Sequence, residues 1–491
     1  MRLALVAALA LAAPVCAADP DPADKKAASE INLPPFPADK TIRQSAVVAG
    51  KPLAYDVTVG SIPVWDAKGK KIGEVVFTAY TVPGRAPGSR PVTFGFNGGP
   101  GAASAFLNLG AIGPKRIQFG AQGDAPSDAA VARDNPNSWL DFTDLVFIDP
   151  VGTGFSRSLE DDAGTKRDFY TAKADIEYLS RIVFDWLSKN GRLTSPKYLI
   201  GESYGGYRVP RLAYFLQSQL GVGLNGITMV SPYLNPQAID DDENALSPLP
   251  YMVALPSMTA AWLERQGKLT GPEALADVEA YDRGEFATDL FRGHSDPASI
   301  ERLTTKVSAL TGLDPLVVRR SEGRVTIGTF LREIHRSESK IGSVYDSNVT
   351  AFDPFPGSAD NRSGDPILNA IMAPTTSAMV DLVTNQVGWK LQARYNLLSY
   401  AVNSDWVRDN SDAPVADLRR AIAADPKMGV IIAHGMDDLS CPYFASRLII
   451  DQMPAFGKNI ALKLYAGGHM FYSRSTSGAQ FRKDAMAMYV R

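Results

Sequence analysis

Six short apolar runs, bounded by glycine, proline or polar residues, constrain the fold of this 491-residue chain more than any other feature. Apolar runs without alternation are typical of strands buried on both faces of a parallel sheet. Helical segments lie between them, and in one of these, four large apolar residues share a face before Gly191 gives a stop signal. This alternation predicts an α/β doubly wound sheet. The runs are residues 92–96, 145–148, 198–200, 227–230, 430–433 and 461–464, and the helix face is Ile176, Leu179, Val183 and Trp186.

Two regions do not follow this alternation of apolar runs and helical segments. Residues 53–58 and 75–82 are β-branched and alternating, with turn residues between them, which predicts antiparallel strands before the parallel sheet. Residues 236–385 are richer in charge, proline and helix-like segments such as 297–310. Insertions of this kind usually lie over the ligand crevice at the carboxyl edge of the sheet. We therefore expect a helical cap at 236–385, inserted between core segments 41–235 and 386–491.

The N-terminus has the pattern of an export signal. Residues 1–18 contain Arg2, an apolar stretch and then small residues, as in a secretory signal peptide. The apolar stretch is too short for a membrane span, which needs about 20 residues, and lipidation at Cys16 is a minor alternative. The alanine-rich signal is typical of bacteria, so we expect a periplasmic or secreted protein. Residues 19–40 hold five prolines and are interpreted as an extended leader that contributes little to the fold.

Composition excludes several classes of protein. The chain is 45% hydrophobic, and 50 basic against 53 acidic residues leave a net charge of −3 without long blocks of one sign. This balance does not indicate a nucleic-acid partner. Two cysteines and four histidines without metal-ligand spacing indicate no metal site, and we expect no cofactor. After removal of the signal peptide only Cys441 remains, so no internal disulfide is possible. The sequence carries no indication of oligomeric state.

A candidate nucleophile follows the third apolar run. The run leads into the motif GESYG at residues 201–205, and a helix is predicted from about residue 209. A Gly-x-Ser-x-Gly motif between a buried strand and a helix holds its serine hydroxyl exposed above the sheet. The alternative, a plain glycine-rich turn, is less consistent with the flanking strand and helix. Ser203 is therefore the predicted nucleophile.

A serine nucleophile requires a base and an acid that orients it. Of the four histidines, His294 and His335 lie in the predicted cap, where His335 is interpreted as a surface residue. His434 ends a buried strand and is interpreted as structural. His469 lies in a glycine loop after the last strand, where the chain order serine, acid, histidine of α/β-hydrolases places the base. The loop after residue 433 offers Asp437 and Asp438, and spacing alone does not choose between them.

The predicted reaction also needs donors for an oxyanion. These are normally the amide that follows the nucleophile and one from the loop after an earlier strand. The amide of Tyr204 is the first candidate. Residues 97–101, with the sequence NGGPG, follow the first apolar run, and Gly99 is the second candidate.

These motifs together resemble the serine carboxypeptidase family of α/β-hydrolases, and the likeness covers most of the chain from about residue 75 to 490. It rests on NGGPG at 97–101, NPNSW at 135–139, the stretch 145–156, GESYGG at 201–206, GMDD at 435–438 and Gly468-His469, in the family's order. The resemblance implies hydrolysis of the last peptide bond of a peptide with a free C-terminus, which is the expected substrate. It also implies that Asp438, three residues before Cys441, is the acid.

The resemblance assigns further roles. It implies that Gly99 and Tyr204 supply the oxyanion donors and that Asn97 and Glu202 bind the terminal carboxylate of the substrate. A carboxylate beside another carboxylate is tolerated only when one is protonated, so the pKa of Glu202 should be raised when substrate binds. At the position where the family usually has a second acidic residue, this chain has Ala111, and the family's disulfides are absent. An esterase or acyltransferase on the same scaffold is the main alternative, and a non-catalytic binding protein is a further one.

Overall fold

A computed structural model describes residues 33–84, 86–118, 125–239, 246–358, 363–408, 413–455 and 459–490. The predicted signal peptide and most of the leader lie outside these ranges. The strands are β1 (Lys40–Val48), β2 (Lys51–Trp65), β3 (Lys71–Thr81), β4 (Val92–Phe96), β5 (Lys115–Arg116), β6 (Arg133–Asp134), β7 (Asp144–Ile148), β8 (Arg157–Ser158), β9 (Lys197–Glu202), β10 (Gly226–Val230), β11 (Lys340–Gly342), β12 (Thr350–Phe352), β13 (Gly429–Gly435) and β14 (Ile460–Tyr465).

The α-helices follow the same numbering along the chain. They are α1 (Asp162–Phe169), α2 (Ala172–Lys189), α3 (Tyr204–Gln219), α4 (Pro236–Ile239), α5 (Leu249–Arg265), α6 (Ala276–Tyr281), α7 (Ala287–Arg292), α8 (Pro297–Thr311), α9 (Pro315–Arg320), α10 (Ile327–Glu333), α11 (Pro366–Val380), α12 (Tyr400–Asp405), α13 (Ala413–Ala424), α14 (Tyr443–Asp451) and α15 (Ser475–Tyr489).

Ten strands form one sheet in the order β1-β2-β3-β7-β4-β9-β10-β13-β14, and β8 pairs with β3. The first three strands are antiparallel, and the strands from β7 to β14 are parallel to one another. Each of the six apolar runs is one of these parallel strands, and five of the six are wholly buried. The predicted fold, a mostly parallel sheet with antiparallel N-terminal strands, is confirmed.

The strand order reverses next to β4. From β4 the chain adds β7 on one side and then returns to add β9 on the other. The loops that leave β4 and β9 therefore separate at the carboxyl edge of the sheet and leave a crevice between them, which is where α/β proteins bind ligands. These two loops carry residues 97–101 and Ser203.

Helices cover both faces of the sheet. On one face α2, α3 and α13 pack on the strands, and the predicted apolar stripe of α2 is at most 5% exposed. Thr171 begins α2 by accepting a hydrogen bond from the amide of Ala174, which satisfies an amide of the first turn. On the other face α15 and α11 pack on the sheet through Phe481 and Ile371. Both faces of the parallel strands are therefore largely shielded from water, as expected from their apolar sequence.

The described part of the segment between β10 and β13 contains ten α-helices, α4 to α13, and a small hairpin of β11 and β12. Helix α8 spans the predicted segment 297–310 and ends one residue later, at Thr311. Apolar residues of α5, α8 and α10 form a separate core, which also touches Met436 and Tyr443 of the sheet's carboxyl edge. These contacts place the helical segment above that edge.

The end of the leader packs on the fold, contrary to expectation. The ring of Phe36 lies 5.3 Å from that of Trp389, and the guanidinium of Arg157 lies 3.9 Å from the Phe36 ring centroid. The indole of Trp389 also donates a hydrogen bond to the carbonyl of Pro37. The expectation that residues 19–40 contribute little is therefore wrong for this stretch, because an apolar ring among the prolines finds a distant partner.

One helix among the described residues, Pro366–Gln386, is long and apolar enough to cross a membrane by length and composition. It includes α11 and a π-helical turn, and 44% of its most apolar window is buried inside the protein. Its buried residues include Ile371 and Met379, which join the core under the sheet.

Candidate active site

Ser203 occupies a strained turn between β9 and α3. Its φ of 60° and ψ of −122° lie outside the regions that side chains normally adopt, as expected for a nucleophile held above a sheet. A Cβ on Gly201 would lie 2.1 Å from the carbonyl oxygen of Gly205, and one on Gly205 would lie 2.2 Å from that of Phe96. The flanking glycines of the motif are therefore required by close backbone packing.

The structure brings His469 and Asp438 together. Nδ1 of His469 lies 2.9 Å from Oδ2 of Asp438, and both residues are at most 2% exposed. The other oxygen of Asp438 accepts hydrogen bonds from the amides of Ser440 and Cys441, so the carboxylate is fixed. Burial disfavours the charged imidazole, but the charge of Asp438, its hydrogen bond to the imidazole and the charges of Glu202 and Asp365 together outweigh it, and the pKa of His469 is raised.

Ser203 and His469 line the same cavity. Among the described contacts their side chains do not share a hydrogen bond. Such bonds are often long in the absence of substrate and tighten when it binds. The hydroxyl, the imidazole and the carboxylate are nevertheless on one side of the sheet, each at the carboxyl end of its strand.

The other three histidines lie elsewhere. His434 is fully buried, its Nε2 pairs with the hydroxyl of Ser446, and burial lowers its pKa to about 3. His294 lies beside Glu322 at the surface. His335 is fully buried between Arg265 and the carbonyl of Ser347, so its interpretation as a surface residue is wrong. Its sequence segment resembles an exposed helix, but the neighbouring cap elements cover it.

The loop after β4 lies against the start of α3. Gly98 is so close to the nucleophile that a Cβ on it would lie 2.5 Å from the amide nitrogen of Tyr204. The carbonyl of Gly98 accepts a hydrogen bond from the amide of Ala102, which fixes the peptide that carries the Gly99 amide. Gly98, Gly99 and Tyr204 all line the cavity of Ser203. Two backbone amides are therefore held at the same cavity wall.

Asn97 and Glu202 form a buried pair beside the nucleophile. The side-chain amide of Asn97 donates to one oxygen of Glu202, and the hydroxyl of Tyr472 donates to the other at 2.7 Å. Both donors are neutral, and Glu202 is 2% exposed. Burial therefore raises the pKa of Glu202 to about 6.

The cavity that joins these groups has a volume of about 230 Å³. Phe106, Tyr233, Ile239 and Leu368 contribute apolar walls, and Arg408 lies at its lining as well. Cys441 also lines it and is 2% exposed. Ala111 lies in a buried π-helical turn, where its carbonyl accepts a hydrogen bond from Asn135.

The helical segment supports the loop of His469 directly. The amide of His469 donates to the carbonyl of Tyr345 at 2.5 Å, and the amide of Gly468 donates to Asp346 at 3.2 Å. The ring of Tyr345 meets the imidazole edge-on at 5.3 Å. His469 is therefore held by residues from outside the core strands.

Asp437 points away from His469 into a second carboxyl cluster. Oxygens of Glu264, Asp346 and Asp437 lie within 4.8 Å of one another, a set that could hold a cation. Arg474 already supplies that charge, since its guanidinium contacts Glu264 and lies 2.7 Å from Asp346 and 3.7 Å from Asp437. Burial and the two neighbouring carboxyl groups raise the pKa of Asp437 well above its ordinary value.

Sequence reasoning missed two residues of the site. Tyr472 follows His469 by three positions and Tyr345 lies in the helical segment, and neither belongs to a recognisable motif. Their spatial neighbours are distant in the chain, since 270 residues separate Tyr472 from Glu202. The only available signal for Tyr472 was its position just after the glycine loop of the base.

The fold is that of the α/β-hydrolases. The chain superposes on the crystal structure of Kex1ΔP, a prohormone-processing carboxypeptidase from Saccharomyces cerevisiae, with a TM-score of 0.55. The superposition covers 88% of this chain and 91% of that one at 16% identity. At this identity the likeness is one of fold.

Sequence comparisons give more specific matches than the comparison of folds. Residues 67–260 match the family model Peptidase_S10, serine carboxypeptidase. Serine carboxypeptidase-like 36 of Arabidopsis thaliana is 30% identical over 212 residues, which are 42% of this chain and 41% of the relative. Serine carboxypeptidase S10 family member 1 of Dictyostelium discoideum is 30% identical over 160 residues, 30% of this chain and 35% of the relative. The chain thus spans about two fifths or less of these curated relatives, and the matches support the resemblance to the serine carboxypeptidase family.

Proposed function

We propose that this protein is a serine-type carboxypeptidase that removes the C-terminal residue of a peptide through an acyl-enzyme. One observation carries the proposal: the buried pair of Asn97 and Glu202 opens into the same cavity as Ser203 and His469. A protonated Glu202 can donate a hydrogen bond to a terminal carboxylate, which an ionised one would repel. The cavity therefore suits a substrate whose scissile bond lies one residue from a free carboxylate.

In the proposed reaction the oxygen of Ser203 attacks the scissile carbonyl carbon while Nε2 of His469 takes the hydroxyl proton. Asp438 holds Nδ1–H of the imidazole and stabilises the positive charge that forms. The amides of Gly99 and Tyr204 donate to the oxyanion of the tetrahedral intermediate. His469 then gives its proton to the leaving amine, the free amino acid departs, and water hydrolyses the acyl-enzyme by the same steps.

The test compares two substrates that differ only at the C-terminus, an N-blocked dipeptide and the same dipeptide amidated. We expect release of the C-terminal residue from the free acid and at least about 100-fold slower cleavage of the amide, since a site built to bind a polar group rejects its analogue strongly. Ser203→Ala should abolish release from the free acid while circular dichroism and melting stay unchanged. Equal rates on both substrates would favour the esterase alternative, and no turnover of either would favour a binding protein.

The division into domains and the location of the protein belong to the same proposal. Core segments at 41–235 and 386–491 and a cap at 236–385 agree with the separate apolar core of the helices that follow β10. Export from a bacterial cell, to the periplasm or the medium, is supported by the charge and apolar pattern of residues 1–18. N-terminal sequencing of the protein recovered from the periplasm tests this, and a start at Met1 in the cytoplasm would contradict it.

A further inference from the structure

A buried ion pair lies directly behind the candidate oxyanion loop. Arg208 of α3 is 0% exposed, and its Nε lies 2.6 Å from Oδ2 of Asp175 in α2, which is 1% exposed. Burial alone would lower the pKa of Arg208, but the charge of Asp175, its hydrogen bond to the guanidinium and the neighbouring Tyr204 and Tyr178 together outweigh burial, and the pKa is raised. The guanidinium is therefore held as a cation inside the protein.

The same guanidinium reaches the loop after β4. Its Nη1 donates to the carbonyl of Asn97 at 2.6 Å, while its Nη2 has no hydrogen-bond partner among the described residues. The guanidinium carbon also lies 5.0 Å from the ring centroid of Tyr204, at the start of its own helix. One side chain thus links the nucleophile helix to the loop that carries Gly99.

This link acts on the two candidate oxyanion amides. The carbonyl that Arg208 holds belongs to the Asn97–Gly98 peptide, and the Gly99 amide belongs to the next peptide along the chain. Only Gly98 separates them, and because the Ala102 amide already fixes the second peptide within the loop, the contact with Arg208 sets where that loop lies relative to α3. The Tyr204 amide, in contrast, is fixed by the first turn of α3, one turn from Arg208. Fixing Asn97 from α3 therefore sets the separation of the two amides.

We infer that Arg208 is a positioning residue for the oxyanion site, which it aligns by joining the carbonyl of Asn97 to the carboxylate of Asp175. This inference rests on the proposed function. The side chain of Asn97 is held independently by Glu202 and the amide of Leu107, and Arg208 itself does not line the cavity. Its contribution should therefore appear in the transition state, where the oxyanion forms, and not in ground-state binding.

A second buried pair provides a matched control. Arg192 lies 2.6 Å from Asp144 and is also largely buried, but it donates to the carbonyl of Arg90 at the opposite end of the strands. Arg192→Met likewise removes a buried cation from beside a buried aspartate, away from the oxyanion loop, although Asp144 keeps Arg90 as a second partner. The control therefore reports the general cost of breaking such a pair.

The experiment measures kcat and KM on the N-blocked dipeptide for both Met variants, well below their melting temperatures. We expect kcat to fall about 10- to 100-fold for Arg208→Met, less than the loss of an oxyanion donor itself, with KM changed less than about threefold. An N-blocked aminoalkyl boronic acid, which forms a tetrahedral adduct with Ser203, should lose affinity by the same factor as kcat/KM. Inhibition by the N-blocked amino acid product should be unchanged, and Arg192→Met should keep wild-type kinetics.

Equal kinetics for the two Met variants, or an unchanged boronic acid affinity for Arg208→Met, would overturn the inference. If Arg208→Met does not fold, Arg208→Lys replaces it in the test. Lysine keeps the positive charge but lacks the planar guanidinium that contacts both Asp175 and the carbonyl of Asn97. Arg208→Lys should show the same loss in kcat and boronic acid affinity, and wild-type values would overturn the inference. Failure of the wild-type protein to hydrolyse the dipeptide would instead overturn the proposed function.

Discussion

Two buried carboxyl groups at opposite ends of the parallel strands are treated differently by the fold. Asp144 begins β7 and is neutralised by two guanidinium groups, from Arg90 and Arg192, each 2.6 Å away. Glu202 ends β9 and has only neutral donors, from Asn97 and Tyr472. A buried carboxyl group paired with two cations stays ionised, whereas one with neutral partners has a raised pKa and keeps its proton up to about pH 6. The charge of the partners thus separates the supporting end of the sheet from the reactive end.

The largest expected effect is at the reactive end. Asp438→Asn should lower kcat by about 10³- to 10⁴-fold, because an amide no longer selects the imidazole tautomer that can accept the serine proton. Asp437→Asn is the matched control, since Asp437 is equally buried but does not contact His469. We expect Asp437→Asn to change kcat by less than about tenfold, because an amide resembles its protonated carboxyl group. Steady-state kinetics on the free-acid dipeptide measure both, and equal losses would contradict the assignment.

At the supporting end the effect should be on stability alone. Asp144→Asn leaves two buried guanidinium groups without a counter-charge and should lower the free energy of unfolding by about 3–5 kcal/mol. Asp141→Asn, nearby but on a partly exposed pair with Arg482, should cost less than about 1 kcal/mol. Urea unfolding measures both. The kcat of folded Asp144→Asn should equal that of the wild type, and a loss in kcat would break the distinction between the two ends.

The smallest effect concerns pH. With a pKa of about 6, Glu202 loses its proton above that pH, so kcat/KM on a free-acid substrate should fall by up to tenfold for each further pH unit. Glu202→Gln should remove this alkaline decline, because the amide stays neutral. The acid limb of the kcat/KM profile of Glu202→Gln should move to lower pH, because the charge of Glu202 helps to raise the pKa of His469 in the wild type.

An amidated or ester substrate sharpens this test. It lacks the terminal carboxylate, so the alkaline decline should be absent already in the wild-type protein, while the shift of the acid limb on Glu202→Gln should remain. A profile of Glu202→Gln that matches the wild type on the free acid would contradict the proposed role of this carboxyl group.

Much of the core and of the site could be predicted because the signals are local. Apolar runs mark the six parallel strands, and Gly201 beside Ser203 is needed by a contact within the motif itself, with the carbonyl of Gly205. Asp438 was the exception, since spacing left Asp437 equally possible and only the resemblance chose between them. In the structure the carboxyl group of Asp438 points toward His469, whereas that of Asp437 points toward Arg474.

The remaining features depend on contacts between distant segments. Phe36 among prolines gives no sign of its partner Trp389, and a histidine in a polar helix gives no sign that the cap will bury it. Arg208 likewise looks like any helix arginine until Asp175 and Asn97 are placed beside it. In each case the partner is fixed by tertiary packing, and no local pattern encodes it.

The contacts of Tyr345 and Asp346 with the loop of His469 have a practical consequence for protein engineering. A smaller protein made by excising the helical insertion would lose the carbonyl that accepts a hydrogen bond from the His469 backbone amide, along with residues that line the cavity. Redesign of substrate preference is therefore better attempted by exchanging individual side chains on that insertion than by deleting or swapping it whole.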